Sequence, residues 1–438
     1  MRCTAGHVAI DILPDDVLLE IFDLCRGDNE DFTVGIWKSL VHVCRRWRCI
    51  IFASPRRLHL ALQCDARTTV WKLLDTWPPL PITIRYSPEG ASKGKMNIMA
   101  APGLHDRITG ITFDRIQSSE ELEGFTDMRF SALTWLSLTC DRHRPPAPIF
   151  PESFLDGSTP QLRSFTSYNV AFVAFPKFVL SATRLVTLSL LSLRRSPFGV
   201  SLTPEVIASN LAALPTLKEL AIGFKWWKHP ESRSGLRDPP RQTRIVLLAL
   251  THFRFEGDGE HLEDFVSRID APLLNKVNIL SLDHVPRYVQ QLHRLISGAE
   301  SFKPLKQAFI DINFMWISLL SPTHFLEIRT EKSPASVLSM ARLCNDLSHL
   351  LSFVDDLEIR GYPSSYGDYA DASWLELFRP FIAVQNLYAN NLIARLIAPV
   401  LQEPTRSINN TSDVLPSLRN LVLERRYSTG STSYTSDY

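Results

Sequence analysis

The sequence is poor in net charge, in long apolar runs and in glycine. It has 47 basic and 46 acidic side chains, so the formal charge of its 438 residues is +1. This balance argues against a dedicated nucleic-acid binder, which usually carries a strong basic excess. No apolar run approaches the ~18 residues that a membrane span needs. The N-terminus has no apolar core followed by small residues, so we expect a cytoplasmic or nuclear location.

Cysteine usage excludes another class. The seven cysteines are odd in number, irregularly spaced and without a CxxC pair. We therefore expect reduced, buried thiols rather than a disulfide framework. Proline, in contrast, is abundant, with 29 residues against 18 glycines. Because proline interrupts long helices, the sequence predicts many short elements joined by rigid connectors.

The usual catalytic patterns are missing as well. The sequence has no GxSxG elbow, no GxxxxGK[ST] phosphate loop, no GxGxxG turn and no HExxH helix. His42, Cys44 and Cys49 are close in sequence, but positions two apart on a helix point to different faces, so we expect no shared metal. We therefore expect a protein that is not an enzyme and has no cofactor. An enzyme with an unrecognised site is the alternative.

Residues 11–56 have the apolar spacing of helices. Pro14 suits a first helical position, and an apolar stripe follows it at i, i+3, i+4 and i+7. A second helical stripe precedes the break at Ser54-Pro55. The stripes consist of Leu18, Ile21, Phe22 and Cys25, then Trp37, Leu40, Val41, Cys44, Trp47 and Ile51. From the pattern alone, they either pack on the rest of the chain or leave one face to dock a partner.

Two short segments in this region resemble the F-box family. LPDDVLLEIF at 13–22 and VCRRWR at 43–48 match the start and the end of that motif, although the connector at 26–33 is long and Asp16 stands where Glu is commoner. The resemblance implies a three-helix module that binds a Skp-type adaptor and through it the cullin of a ubiquitin ligase. By that resemblance the adaptor-facing or module-core residues are Leu13, Pro14, Val17, Leu18, Ile21, Phe22, Leu40, Val43, Cys44 and Trp47.

A different motif, of the form LxxLxL, recurs along residues 57–425. Its first members follow one another at steps of 23 to 34 residues, apart from one step of 49. Such a series is typical of a leucine-rich-repeat solenoid. The copies are Ile108-Ile111-Phe113, Leu133-Leu136-Leu138, Leu185-Leu188-Leu190, Leu217-Leu220-Ile222, Leu250-Phe253-Phe255, Leu274-Val277-Ile279, Leu305-Ala308-Ile310, Val354-Leu357-Ile359, Val384-Leu387-Ala389 and Leu418-Leu421-Leu423, with a degenerate Leu162-Phe165-Ser167.

The end of each copy alternates with period two, which predicts a strand whose apolar members face the core. The long step, from Leu305 to Val354, predicts one more strand near Phe325–Ile328. A helix to about Leu351 should follow, capped by Ser333. Between other copies we expect helices over Pro204–Ala213, capped by Thr203, and over Leu262–Ile269.

The predicted fold class is α/β, with a small N-terminal helical F-box module followed by an irregular leucine-rich-repeat-like solenoid. In this fold a curved parallel sheet carries helices on its convex side. The layout resembles F-box and leucine-rich-repeat proteins of mushroom-forming fungi. A doubly wound α/β sheet is the alternative, disfavoured by short strands without a glycine-rich turn. The predicted parts are a flexible N-terminus (1–10), the F-box (11–56), the solenoid (57–425, with a capping repeat at 57–100 and a disordered loop at 226–244) and a disordered tail (426–438).

We expect the solenoid to bind an unknown target protein through outward-facing strand residues. The candidate target-binding residues are Trp135, Arg254, Glu358, Arg360 and Tyr388, which include types enriched at binding hot spots. Mixed charge along the strands favours a protein target over a polyanion, and nothing indicates nucleic acid or a membrane as a partner. The expected function is a non-catalytic substrate receptor of a Skp–cullin–F-box ubiquitin ligase. A scaffold that uses the adaptor outside any ligase is the alternative.

Overall fold

The computed structural model of the chain describes residues 10–24, 39–54, 60–64, 81–86, 106–118, 122, 129–140, 159–170, 175–193, 202–224, 244–281, 290–299, 302, 305–330, 337–361, 371–402 and 414–424. They form two compact units, Met1–Phe165 and Thr166–Tyr438. Residues 226–243 of the predicted loop, the tail at 426–438, the helix cap at Ser333 and residues 1–9 of the N-terminus lie outside the described residues.

Unit 1 begins with helices. A 3-10 turn at Ile10–Ile12 leads into α1, Asp15–Leu24. Residues 39–43 are helical, and α2 spans Arg45–Ala53. Asp15 and Asp16 lie in the first turn of α1, where carboxylates interact favourably with the helix dipole. The helical spacing seen in the sequence is therefore confirmed for both helices.

The described strands of unit 1 form a parallel sheet. Its strands are β1 (Leu60–Cys64), β2 (Ile82–Tyr86), β3 (Ile108–Ile116) and β4 (Trp135–Cys140), paired in that order. The next strand, β5 (Ser164–Tyr168), contains the boundary between the units. β1 and β2 lie within residues 57–100, the range of the predicted capping repeat.

Unit 2 carries a larger, mostly parallel sheet. After β5 its strands are β6 (Thr187–Leu193), β7 (Glu219–Phe224), β9 (His252–Gly257), β11 (Lys276–Ser281), β12 (Gln307–Asp311), β13 (Trp316–Leu320), β14 (Phe325–Thr330), β15 (Asp356–Arg360), β16 (Asn386–Asn390) and β17 (Asn420–Glu424). Two short strands, β8 (Ile245–Val246) and β10 (Ile269–Asp270), pair separately.

One interruption distinguishes this sheet from a simple repeat array. The strand order from β6 onwards is β6-β7-β9-β11-β14-β13-β12-β15-β16-β17. β13 runs antiparallel to both β12 and β14. The other strand pairs from β6 to β17 that the structure describes in this sheet are parallel. We call β12, β13 and β14 the meander. The extra strand expected near Phe325–Ile328 is confirmed as β14, but β13 was not predicted.

The same turn enters most strands. The backbone N–H of Leu217, for example, donates to the carbonyl of Leu214, three residues before it, at 3.2 Å. Two residues later the chain joins the sheet, where Lys218 and Glu219 both donate to the carbonyl of Val186 in the preceding repeat, at 2.8 and 3.0 Å. The equivalent bonds recur in later repeats. They explain why the leading apolar residue of a motif lies three positions before the first buried residue of the strand.

Short helices lie between the strands of unit 2. They are α3 (Phe175–Ser181), α4 (Pro204–Leu211), α5 (Gly259–Val266), α6 (Gln290–Gly298), α7 (Val337–Asp346), α8 (Ser348–Leu351), α9 (Asp371–Phe378) and α10 (Asn391–Gln402). The Thr203 hydroxyl accepts the Val206 N–H at 3.3 Å, so the predicted cap of α4 is confirmed. α5 starts earlier than predicted because Asp258 caps it, accepting the His261 N–H at 2.8 Å.

The core follows the repeat motif closely. All three apolar members of the first nine full copies are buried, at 3% exposure or less. The final copy differs, because Leu421 and Leu423 on β17 are 45% and 52% exposed. β17 lies last in the strand order, so no further strand of the described chain covers its outer edge.

Candidate functional site

The N-terminal helices form a hydrophobic cluster of their own. Leu18 and Phe22 of α1 are buried against Ile50 and Ile51 of α2. The half-buried hydrophobic residues packed on this cluster, Leu13, Leu19, Leu40, Val41 and Trp47, also come from residues 13–51. The Trp47 ring lies 4.7 Å from that of Phe22, centroid to centroid. Among the described residues, the apolar stripes therefore pack on one another.

The structure separates the ten residues that the F-box resemblance singled out. Leu18 and Phe22 are at most 1% exposed and belong to the core, whereas Val17 and Val43 are 39% and 58% exposed. Pro14 is exposed as well. The half-buried members are Leu13, Ile21, Leu40, Cys44 and Trp47. An incoming partner would thus meet Pro14, Val17 and Val43 rather than the buried pair.

Polar contacts fix the relative position of α1 and α2. The Arg46 guanidinium donates to the Asp15 carboxylate at 2.6 Å and to the Leu13 carbonyl at 2.6 Å. The Cys44 sulfur accepts the Trp47 N–H at 3.4 Å and so caps α2. Arg46 therefore joins the two helices, and the Cys44 side chain serves as the N-cap of α2.

Four further apolar residues near these helices were missed by the sequence reasoning. Ile10, Ile12, Leu24 and Phe52 are exposed by 43%, 75%, 82% and 59%. They fall off the i, i+3, i+4 stripes, and that displacement is the signal that could have identified them. Together with Val17 and Val43 they make this segment unusually apolar for a solvent-facing surface.

In the sheet, residues that alternate with the buried ones form a second candidate surface, which we call the open face. In unit 1 it includes Trp135, one of the predicted target-binding residues. Trp135 is half-buried, and its indole occupies the place of a side chain at Gly110, its partner on β3. A Cβ built on Gly110 would lie 2.1 Å from the indole nitrogen. The indole thus lies over Gly110, which leaves room for it because glycine has no side chain.

The other four predicted target-binding residues lie on the open face of unit 2. Glu358 and Tyr388 are direct partners across β15 and β16, and Arg360 lies two residues beyond Glu358. Arg254 is on β9, with four strands between it and β15. At ~4.8 Å per strand, β9 and β15 are about 24 Å apart, and Tyr388 lies one strand beyond β15. Arg254 and Tyr388 therefore belong to different parts of the face.

The meander brings together residues that the sequence reasoning did not assign. The Arg329 guanidinium lies 4.2 Å from the centre of the Trp316 ring, and the Trp316 and Phe309 ring centroids are 4.8 Å apart. On the other side of Phe309, the Arg360 guanidinium is 5.3 Å from the ring centre. We call these four residues the Arg–aromatic row. Each successive pair is within cation–π or aromatic contact distance.

Both arginines of the row also bind a glutamate of their own strand. Arg329 forms an ion pair with Glu327, and Arg360 forms one with Glu358. The local sequence is the same in both strands, Leu-Glu-Ile-Arg at 326–329 and at 357–360. That repetition is the sequence signal from which the two Glu–Arg pairs could have been found.

Two carboxylates near the row are partly or fully removed from water. Glu327 is 4% exposed, and it accepts a hydrogen bond from the Asn278 amide at 3.1 Å. Asp311 accepts the backbone N–H groups of Asn313 and Phe314 at 3.0 and 3.2 Å. Burial raises the pKa of Asp311, and the two N–H groups and Arg360 oppose that shift.

A histidine on the same face is less able to carry charge. Burial lowers the pKa of His252, and the neighbouring Lys276 lowers it further, against the opposing effect of Glu219. His252 is therefore neutral at neutral pH, and it adds no positive charge to the open face.

Neither a metal centre nor a membrane span is found in the described part of the chain. No three His, Cys, Asp or Glu side chains of the described residues are grouped so that they could hold a metal ion. No helix there is long and apolar enough to cross a bilayer. Cys44, Cys49, Cys140 and Cys344 are free thiols, the last two buried.

Comparison with known proteins gives a distant likeness among solved structures. No family model matches the chain, and no curated protein matches it significantly. Among solved structures, the chain is similar to the leucine-rich repeat-containing protein LegL7 from Legionella pneumophila, at 13% identity and a TM-score of 0.31. The match covers 69% of this chain and 86% of that one. The likeness is too distant to carry an argument about function.

Proposed function

We propose that this chain is a non-catalytic substrate receptor of a Skp–cullin–F-box ubiquitin ligase. The observation that supports the proposal most is the N-terminal pair of helices, which packs around its own small core and leaves Pro14, Val17 and Val43 exposed. These three residues belong to the segments that resemble an F-box. The adaptor would bind on them, and the leucine-rich-repeat-like sheet would hold the target.

The physical basis of the first contact is apolar burial. Exposed valines on a surface braced by the Arg46–Asp15 ion pair give up little conformational freedom when a partner covers them. Burying two valine side chains stabilises a complex by about 3 kcal/mol before the costs of association are subtracted. A helical module with an apolar outer surface therefore has a reason to bind a protein adaptor.

The contribution of the chain to ubiquitin transfer would be proximity. A receptor that holds adaptor and target at once raises the local concentration of target lysines near the charged conjugating enzyme. No side chain of the receptor needs to enter the chemistry, which agrees with the sequence's lack of catalytic motifs.

The test is binding of purified Skp-type adaptor to the full chain. Wild-type protein should bind, and the double variant Val17→Asp/Val43→Asp should bind at least about tenfold more weakly, because two buried charges oppose the contact. Val246→Asp, at a valine of unit 2 that is 53% exposed, is the matched control and should bind like wild type. Circular dichroism should show all three proteins folded.

Two outcomes would contradict the proposal: no adaptor binding by wild type, or equal binding by the double variant. Leu18→Asp and Phe22→Asp are unsuitable as tests because these residues form the buried cluster, so loss of binding would report unfolding. If adaptor co-purifies from cells without cullin, the chain uses the adaptor outside a ligase.

A further inference from the structure

The open face of unit 2 has more negative than positive side chains. The carboxylates at its alternate strand positions are Glu219, Glu256, Asp311, Glu327, Asp356 and Glu358, and the cationic side chains are Lys276, Arg254, Arg329 and Arg360. His252 adds no charge at neutral pH. Although the chain as a whole is nearly neutral, this surface is acidic.

The arginines of the open face are already engaged within the chain. Arg254 contacts Glu256 at 2.6 Å, and Arg329 and Arg360 form ion pairs with Glu327 and Glu358. Arg329 and Arg360 are also stacked on aromatic rings. An anionic ligand would have to compete with these internal carboxylates for each guanidinium. The arginines therefore serve mainly to fix the aromatic rings and the glutamates in place.

Other carboxylates of the face have neutral partners. Asp356 accepts the Asn386 amide at 2.7 Å, and Glu219 accepts the Thr187 hydroxyl at 3.2 Å. Asp311 is held by two backbone N–H groups at the end of β12. A hydrogen bond from a neutral group orients a carboxylate but does not compensate its charge. Arg360, the direct partner of Asp311 across β12 and β15, offsets part of the Asp311 charge, so Asp356 and Glu219 are the positions most open to a cation from outside the chain.

Aromatic surface lies next to these carboxylates. Tyr388 is the direct partner of Glu358 on one side, and Phe309 is its direct partner on the other. Trp316 follows Phe309 across the meander. Carboxylates beside aromatic rings match the guanidinium or ammonium group of an arginine or lysine side chain, with its apolar stem on the rings.

We propose that the target-binding part of the open face is the surface of β12–β16 around the Arg–aromatic row, and that its occupant is a basic, extended polypeptide segment. The inference rests on the proposed receptor function and names the chemistry of the target that such a receptor would hold. Arginine or lysine side chains of the segment would meet Asp356, and would share Asp311 and Glu358 with Arg360, beside the rings of Phe309 and Tyr388. Trp135, in unit 1, is not part of this surface.

The experiment is fluorescence anisotropy on the full chain with three labelled peptides of about 12 residues, enough for an extended segment to span several strands. All share a Gly/Ser/Leu background and carry four arginines, four glutamates or four glutamines. The arginine peptide should bind at least about tenfold more tightly than the other two at ~50 mM salt, and the difference should shrink at ~500 mM salt.

Paired variants locate the site. Asp356→Asn/Glu358→Gln keeps the size of both side chains and an acceptor for Asn386 while removing two charges. It should weaken binding of the arginine peptide about fivefold to tenfold and strengthen binding of the glutamate peptide. Glu205→Gln/Glu376→Gln removes two charges from α4 and α9, where both residues are exposed, and should leave binding unchanged.

Equal binding of the arginine and glutamine peptides, or tighter binding of the glutamate peptide, would overturn the inference. An Asp356→Asn/Glu358→Gln variant that binds the arginine peptide like wild type would overturn the location. Both results are independent of the adaptor test, because the adaptor variants lie in α1 and at residue 43. Loss of adaptor binding with retained peptide selectivity would reject the ligase function alone.

Discussion

The carboxylate of Glu263, on α5, accepts the backbone N–H of Gln291, the second residue of α6, at 2.9 Å. It also accepts the next N–H, that of Leu292, at 3.2 Å. A side chain of one repeat thus caps the helix of the following repeat. Burial raises the pKa of Glu263, and the two N–H groups oppose that shift because they favour the charged form.

Removing this cap should destabilise the junction between α5 and α6. We expect Glu263→Ala to lower the free energy of unfolding by about 1 kcal/mol, since two helix N–H groups lose their acceptor. Glu263→Gln keeps an acceptor oxygen and should lose about half as much. Urea unfolding followed by circular dichroism measures both. A Gln variant less stable than the Ala variant would contradict the assignment.

A ladder of amides links the last three strands. The Asn420 amide donates to the Asn386 oxygen at 2.8 Å, and the Asn386 amide donates to Asp356 at 2.7 Å. Asn386→Asp would remove the donor and place two carboxylates together. We expect a loss of about 2 kcal/mol at pH 7 that largely disappears near pH 4, where one carboxyl is protonated.

Thermal unfolding of the Asn386→Asp variant at both pH values tests this expectation. Asn390→Asp, four residues further along the same strand, is the matched control. Its amide donates to the Gly361 carbonyl at 3.1 Å rather than to a carboxylate. If both variants lose the same stability at pH 7 and neither recovers near pH 4, the repulsion between carboxylates is not the cause.

Two histidines of adjacent repeats should make the fold sensitive to acid. The rings of His293 on α6 and His349 on α8 are 3.5 Å apart at 86°. Burial and, to a lesser extent, the neighbouring His293 together lower the pKa of His349 to about 4. Since the unfolded pKa is ~6.5, the folded state binds fewer protons between these values, and stability is lost as the pH falls from about 6.5 towards 4.

We expect His349→Gln to reduce that loss. The side chain is half-exposed, so solvent screening limits its contribution to about 1 kcal/mol between pH 7 and pH 5. The measurement is the urea midpoint at the two pH values for wild type, His349→Gln and His42→Gln, an exposed histidine of unit 1. Identical pH dependence in wild type and His349→Gln would show that His349 is not responsible.

The sequence predicted the repeated strands well because their signal is local. Leu188 and Val277, for example, are each apolar and begin a period-two alternation of buried residues in their strand. Each also follows, by three positions, the apolar residue of the turn that enters the strand. All three requirements come from one turn and one strand. β13 has such a residue as well, Phe314, three positions before Ile317, but Phe314 is 70% exposed in the tight turn, bound by Asp311, that leads directly from β12 into β13. This copy begins only nine residues after Leu305, the leading residue of β12, which is far from the steps of 23 to 34 residues in the rest of the series. It was missed for that reason.

The candidate sites were less predictable, because side-chain roles depend on tertiary contacts. The F-box resemblance placed Leu18 and Val17 in one list, but only packing against α2 shows that the first is core and the second is exposed. Similarly, no local pattern indicates that Trp316 lies between Arg329 and Phe309. That neighbourhood requires the reversed strand order of the meander.

The reversed order also has a consequence for how the chain folds. Asn278 and Glu327 are hydrogen-bonded neighbours across β11 and β14 but lie 49 residues apart, whereas Asp356 and Asn386 are 30 apart. Closing the longer loop costs more entropy, and long-range pairing slows folding. The pairing of β12 with β15 spans the same distance, since Gln307 and Asp356 are also 49 residues apart, whereas β12, β13 and β14 pair locally with one another. The meander is thus expected to form early as a local unit, and its two outer pairings, β14 with β11 and β12 with β15, are expected to form late.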